Sequence, residues 1–241
     1  MIRASLRRIL NRLFSGLARK EDIEILYAQI AGLLQIQSAL AGKPILKPLR
    51  GWALSPDAMA LILSDLQERD APTVIEFGSG QSTVVIACYL KNKEAGRLIS
   101  IEHDATYAAS IKKQLVACGV SEYVDFQILS LVECGNVGCL PSCKSYEVAR
   151  LPDVAIDLAI IDGPPNWCGS SGRYHPLSWV LDRLSNGGTA YLDDTVRGGE
   201  RGVVREIAAQ LPHFLIEELK AEKGLTKFTK SLNDGTKGLP S

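Results

Sequence analysis

The sequence predicts a doubly wound α/β fold: a seven-stranded, mostly parallel sheet with a closing antiparallel hairpin and a helical extension at the N-terminus. Three observations point there. Short apolar runs recur with acids at or near their C-terminal ends: Val74 to Phe77, Leu98 to Glu102, Ala155 to Asp162 and Thr189 to Asp194. Near-continuous apolar runs are what strands covered on both faces require. Segments with helical apolar spacing separate them, and that alternation marks βαβ units. Finally, Gly78-Ser79-Gly80 joins the first run directly to a helical segment opened by Ser82 and Thr83.

With 241 residues and 46% apolar composition, the chain has enough material for one α/β domain with an appendage. Lys plus Arg equals Asp plus Glu at 27 each, which argues against a nucleic-acid partner, since that surface needs a basic face. No apolar run approaches the length needed to cross a bilayer. No secretory signal is visible, so a reducing cytoplasm is the expected compartment for the six cysteines. Cys88 and Cys118 fall in predicted helices as buried thiols.

Residues 2–19 contain five arginines and no acid, with Ile2, Leu6, Ile9, Leu10, Leu13, Phe14 and Leu17 at helical spacing. This basic amphipathic segment suits an anionic membrane surface, a partner or homo-oligomer contact, an organellar targeting peptide, or packing on its own domain. A second helix is predicted over about residues 21–41, its period carried by Ile23, Leu26, Ile30, Leu33 and Leu34. Residues 1–45 thus read as an N-terminal extension, 46–232 as the catalytic domain and 233–241 as a disordered tail. Ser55, Pro56 and Asp57 form a helix start, and Trp52 just before it reads, from the sequence alone, as a core aromatic. Residues 130–153 hold Cys134, Cys139 and Cys143 at spacings unlike a paired CxxC site. A long loop with ordinary thiols is expected there, with a metal or disulfide also involving Cys168 as the alternative. The last two strands, His213 to Leu219 and Leu225 to Lys230, form the closing hairpin.

The chemistry concentrates at predicted strand ends. A glycine turn lets a ligand lie against bare backbone near a helix N-terminus. A dinucleotide fingerprint wants a third glycine where this chain has Thr83, and Glu76 would repel a pyrophosphate. Glu76 suits a cationic ligand instead. Glu102, ending the second strand beside the turn, is placed to accept both hydroxyls of a ribose. Asp162, Asp193 and Asp194 fall on one rim. Three buried like charges are costly unless a cation or proton sits among them, and a hard divalent ion, most simply Mg²⁺, is the economical answer.

The glycine turn resembles the first motif of class I S-adenosylmethionine (SAM)-dependent methyltransferases, whose ligand carries an ammonium and a sulfonium. Ile101 to Asp104 with the following Tyr107, the strand ending at Asp162, and Leu192-Asp193-Asp194-Thr195 look like catechol O-methyltransferase and its relatives. The resemblance covers roughly residues 50–230. It implies a Rossmann-like methyltransferase fold and O-methylation of a small-molecule or sugar-type hydroxyl. It also implies SAM contacts from Glu76, Gly78, Ser79, Gly80, Ser82, Thr83, Glu102, His103 and Asp162. In that family an Asp after strand four and an Asp-Asn pair after strand five hold Mg²⁺, and Asp162, Asp193 and Asp194 match them with Asp in place of Asn. The family's catalytic lysine is replaced by Pro165. His175 or the metal alone is left as the base, with Asp162 and His175 the candidate catalytic residues. Trp52, Arg173 and Arg197 are candidate acceptor contacts. A nucleotide-dependent oxidoreductase and a catalytically silent SAM-binding scaffold remain alternatives.

Overall fold

The computed structural model describes residues 20–42, 49 and 51–231, with backbone alone at residues 20 and 21. The basic segment 2–19 and the expected tail 233–241 lie outside the described residues. Chain order is α1 (Lys20–Ala39), α2 (Pro56–Gln67), β1 (Thr73–Phe77), α3 (Gln81–Lys93), β2 (Arg97–Glu102), α4 (Ala105–Cys118) and β3 (Val124–Ile128). A small hairpin, β4 (Leu131–Cys134) and β5 (Cys143–Tyr146), comes next. The chain ends with β6 (Ile156–Ile161), α5 (Tyr174–Leu181), β7 (Leu184–Asp193), α6 (Gly198–Gln210), β8 (Phe214–Leu219) and β9 (Leu225–Lys230).

The seven-stranded sheet has the order β3-β2-β1-β6-β7-β9-β8. The first five of these run parallel, and β9 and β8 join antiparallel as the expected closing hairpin. Strand order reverses direction between β1 and β6. At such a switch the loops leave the strand tips on opposite faces and open a crevice.

Each strand alternates its side chains between two cores. Val74, Leu98, Leu158, Ile160 and Tyr191 face one side, against Met59, Ile62 and Leu63 of α2, the apolar face of α3, and Ile36 of α1. Ile75, Phe77, Ile99, Ile161, Ala190 and Leu192 face the other, against Leu177 and Val180 of α5 and Val203 and Ile207 of α6. Each fully buried Leu or Ile contributes about 1.5–3 kcal/mol, so this two-sided cover holds the strand tips rigidly. The C-terminal half of α1 therefore shares the main core. Gly32 is needed there, since a Cβ would lie 2.4 Å from the Pro56 carbonyl oxygen.

Two local features differ from the sequence reading. Residues 130–153, expected as a loop, contain the β4–β5 hairpin with Cys134 opposite Cys143. Four-residue strands of mixed polarity carry no periodic signal. Tertiary contacts make this pairing: the Ser145 hydroxyl donates to the Gly172 carbonyl at 2.6 Å, and the Tyr146 ring lies 5.4 Å from that of Phe77. All six cysteines are free. β7 begins at Leu184, ahead of the Thr189 start read from the sequence, through an irregular register against β6. No helix among the described residues is long and apolar enough to cross a membrane.

Candidate active site

A groove of about 820 Å³ opens at the carboxyl ends of β1, β2, β6 and β7. Its floor is the β1–α3 turn. Gly78 has φ of +94°, and a Cβ there would lie 3.1 Å from the Asp162 carbonyl, so only glycine lets the ends of β1 and β6 approach. Gly80 is extended and nearly free of neighbours. Its missing side chain serves open space in the groove, not the fold.

Glu102 stands on one side of this turn, where the sequence placed it. Oε2 accepts from the Ser79 amide at 3.1 Å and the Ser79 hydroxyl at 2.9 Å. Oε1 accepts from the amides of His103 (2.7 Å) and Asp104 (2.9 Å), with His103 Nδ1 2.8 Å away. Burial alone would raise its pKa, but these hydrogen bonds outweigh that and hold it below the usual carboxylate range. Glu102 is thus a charged, oriented acceptor. Asp104 caps α4 through the amides of Thr106 and Tyr107, which fixes the other side of the wall.

Asp162 stands on the opposite side of the turn, in a cluster with Asp193 and Asp194. One carboxylate oxygen of each lies within 4.8 Å of the others. Arg173 is the centre of this cluster. Its Nη2 donates to Asp162 Oδ1 (3.2 Å), the Asp162 carbonyl (3.1 Å) and Asp194 Oδ2 (2.9 Å), while Nη1 donates to the Asp193 carbonyl (3.0 Å). Arg197 adds a second cation, 2.8 Å from Asp194 Oδ2. Asp193 is fully buried with both carboxylate oxygens unpartnered by hydrogen bonds, and its nearest cation is Lys223 at 3.8 Å. Burial and the Asp194 charge push Asp193 up to about 6. Burial and the Asp193 charge push Asp162 well above the usual carboxylate range, against the pull of Arg173.

The hard oxygen donors suit Mg²⁺ in kind, and the two unpartnered Asp193 oxygens could accept a cation, while Arg173 already occupies Asp162 and Asp194. Two of the three carboxylates already hold a guanidinium that backbone carbonyls fix from behind. Three cations, Arg173, Arg197 and Lys223, compensate the acids in part, and the raised Asp162 and Asp193 show that the compensation is incomplete.

Other expected residues divide by position. Trp52, Gly78, Ser79, Gly80, Ser82, His103, Asp194 and Arg197 line the groove. Trp52 is 77% exposed, so it is a rim residue, not a core aromatic. Glu76 and Thr83 are fully buried and absent from the wall, which corrects their assignment to ligand contact. Glu76 accepts from Ser82, from Thr83 Oγ1 at 2.5 Å and from Ser100 Oγ at 3.1 Å, so its role is to brace the turn from beneath. Burial raises it to about 7 despite those bonds. His175 is half-buried against Tyr174 and also lies off the groove, so it is not the base. Arg173 reaches the wall, but its donors are committed to the acids, which removes it as a free acceptor ligand.

Sequence reasoning missed Tyr146, Trp167 and Lys223. Trp167 is 64% exposed at the groove, 5.9 Å from the His103 ring. Lys223, in the β8–β9 turn, donates to the carbonyls of Gly51 (3.1 Å) and Ala53 (2.6 Å), clamping the backbone on either side of Trp52. The Tyr146 hydroxyl lies where a Cβ on Gly163 would come within 2.5 Å. Trp167 was visible as an aromatic in a polar loop; the other two had no local signal.

The raised Glu76 and Asp193 give a pH prediction. Both favour the neutral form in the folded chain, so their stabilising contribution is full below the unfolded value near 4 and lost as pH rises through about 6 to 7. Ionising either is worth on the order of 3 kcal/mol. Urea denaturation should therefore show lower stability at pH 8 than at pH 5, and Asp193→Asn should recover part of the difference. A flat profile, or one rising with pH, contradicts these environments.

A parallel sheet with a glycine turn at its switch point, an oriented carboxylate on one side and an acid cluster on the other, defines a Rossmann-like methyltransferase fold. The chain belongs to a methyltransferase-domain family, whose model matches residues 75–195. That membership does not favour the oxidoreductase alternative. No curated protein matches the sequence. Among solved structures, the chain is similar to the O-methyltransferase TomG of Streptomyces achromogenes, involved in tomaymycin synthesis and solved with SAM (18% identity, 92% of this chain, 96% of that one, TM-score 0.53). It is similar to an O-methyltransferase from Bacillus cereus in complex with SAH (16%, 91% and 96%, 0.55). It is also similar to the SAH-bound methyltransferase PaMTH1 of Podospora anserina (15%, 86% and 94%, 0.59).

Proposed function

We propose that this chain is a SAM-dependent O-methyltransferase acting on a small, saccharide-type acceptor without a divalent ion. The observation that carries the reading is that Glu102 and Asp162 flank one glycine turn in one groove, the first charged and oriented, the second with a raised pKa. When bound, SAM supplies an electrophilic sulfonium methyl. Glu102 holds the ribose hydroxyls, with the Gly78–Gly80 backbone and Ser82 against the amino-acid portion. Asp162 is the base: Arg173 fixes Oδ1, leaving Oδ2 to accept the acceptor hydroxyl's proton. Holding both reactants in one groove supplies much of the remaining acceleration. The exposed rings of Trp52 and Trp167 favour an acceptor with flat apolar faces and polar edges, such as a sugar ring, and Arg197 suits an acidic one. TomG and the Bacillus cereus enzyme, both O-methyltransferases, support oxygen as the methylated atom.

SAH formation against a panel of sugars, sugar acids and phenols tests the reading. Activity should survive EDTA, and Asp162→Asn should lower kcat by roughly 10²–10⁴ while SAM affinity changes little. Loss of activity in EDTA would restore the metal, and full activity of the variant would remove Asp162 as the base. The basic composition of residues 2–19 supports peripheral contact with an anionic membrane; co-sedimentation of the full chain with anionic vesicles checks it, and no binding at low salt removes it.

A further inference from the structure

Helix α1 is apolar on two opposite faces. The inner face, through Gly32 and Ile36, is packed against α2 and the main core. The outer face carries Ile23, Leu26, Tyr27, Ile30, Leu33 and Leu34 at spacings of three and one, a continuous stripe along the helix. These six side chains are between 37% and 75% exposed. A helix apolar all round is normally buried. Six adjacent, largely exposed apolar side chains form a contiguous patch of the kind that marks an interaction surface, unlike single scattered surface hydrophobics.

We propose that this face pairs with the same face of a second copy, antiparallel about a two-fold axis. Charge distribution favours this occupant. The charged residues of α1 are Lys20, Glu21, Asp22 and Glu24, and Ile25 to Ala39 contains none. Antiparallel pairing sets each charged end, where Glu24 lies 3.5 Å from Lys220 of its own chain, beside the other copy's uncharged Gln35 and Gln37, while parallel pairing would set the two acidic ends together. A lipid surface is disfavoured, because an interfacial helix needs Lys or Arg along its polar edge and α1 has none after Lys20. A two-fold contact is self-complementary: Ile23 of one copy meets Leu34 of the other, and Tyr27 meets Ile30.

The test is the mass of the full chain in solution, by light scattering at micromolar concentration. A dimer, about twice 26.1 kDa, is expected. Leu34→Glu and Ile23→Lys should each give folded monomers with unchanged circular dichroism. Mixing the two should restore a dimer, because antiparallel geometry alone brings the carboxylate introduced in one chain beside the ammonium introduced in the other. A monomeric wild type, a dimer that persists in Leu34→Glu, or failure of the mixture to pair overturns the proposal. So does a monomer whose binding to neutral vesicles is lost in Leu34→Glu, which would assign the face to lipid.

Discussion

Glu102→Ala is expected to weaken SAM binding by at least ~100-fold in isothermal titration calorimetry. The carboxylate is held by four hydrogen bonds from Ser79, His103 and Asp104, so its direction is set before any ligand arrives. It is also kept charged. Two charge-assisted bonds to a ribose, at roughly 1.5–3 kcal/mol each, account for a loss of that size. Ser79→Ala removes one of the donors to the carboxylate and leaves the charge, so it should cost less than tenfold. Unchanged affinity in Glu102→Ala would take Glu102 out of the donor site; a wild type that binds no SAM would sink the functional reading itself.

The second large effect is expected at Arg173. Its guanidinium is 6% exposed and holds Asp162 and Asp194 together. Replacing it with Met strips the cluster of its central cation and leaves buried carboxylates with too little compensation. Breaking a buried ion pair from one side costs about 3–5 kcal/mol, which should appear as a large drop in the urea midpoint at pH 8. The drop should shrink at lower pH as Asp162 and Asp193 protonate. Millimolar Mg²⁺ should stabilise Arg173→Met and leave the wild type unchanged, because the variant frees two carboxylates that the arginine otherwise occupies. Equal stability of variant and wild type would show that the acids do not depend on the guanidinium. A Mg²⁺-dependent shift in the wild type would show that the ion competes successfully with it.

These two residues also mark what could be read from the chain. Glu102 was legible because its position depends on local facts: an apolar run ends in an acid, and parallel register puts that end beside a glycine turn. The same logic placed Asp162, Asp193 and Asp194 on one rim. Arg173 was legible only as a cation in a polar loop, and its apparent freedom suggested a substrate contact. Glu76 was read as facing a ligand because its strand ends at the turn. Side chains alternate across a strand, however, and its hydroxyl partners Ser82 and Ser100 come from two other elements.

Fold class, strand polarity and the edge on which chemistry sits were settled by periodicity and turn residues, which act over a few neighbours. Which buried charges meet was decided in three dimensions alone. Lys223 reaches Gly51 and Ala53 from 172 and 170 positions away, and Arg173 reaches Asp194 from 21. Charge compensation in a low-dielectric rim is set by distance in space, and local sequence carries almost no record of it. The positive charge that the acids alone seemed to require is supplied in part, in the folded chain, by an arginine that the sequence had assigned elsewhere.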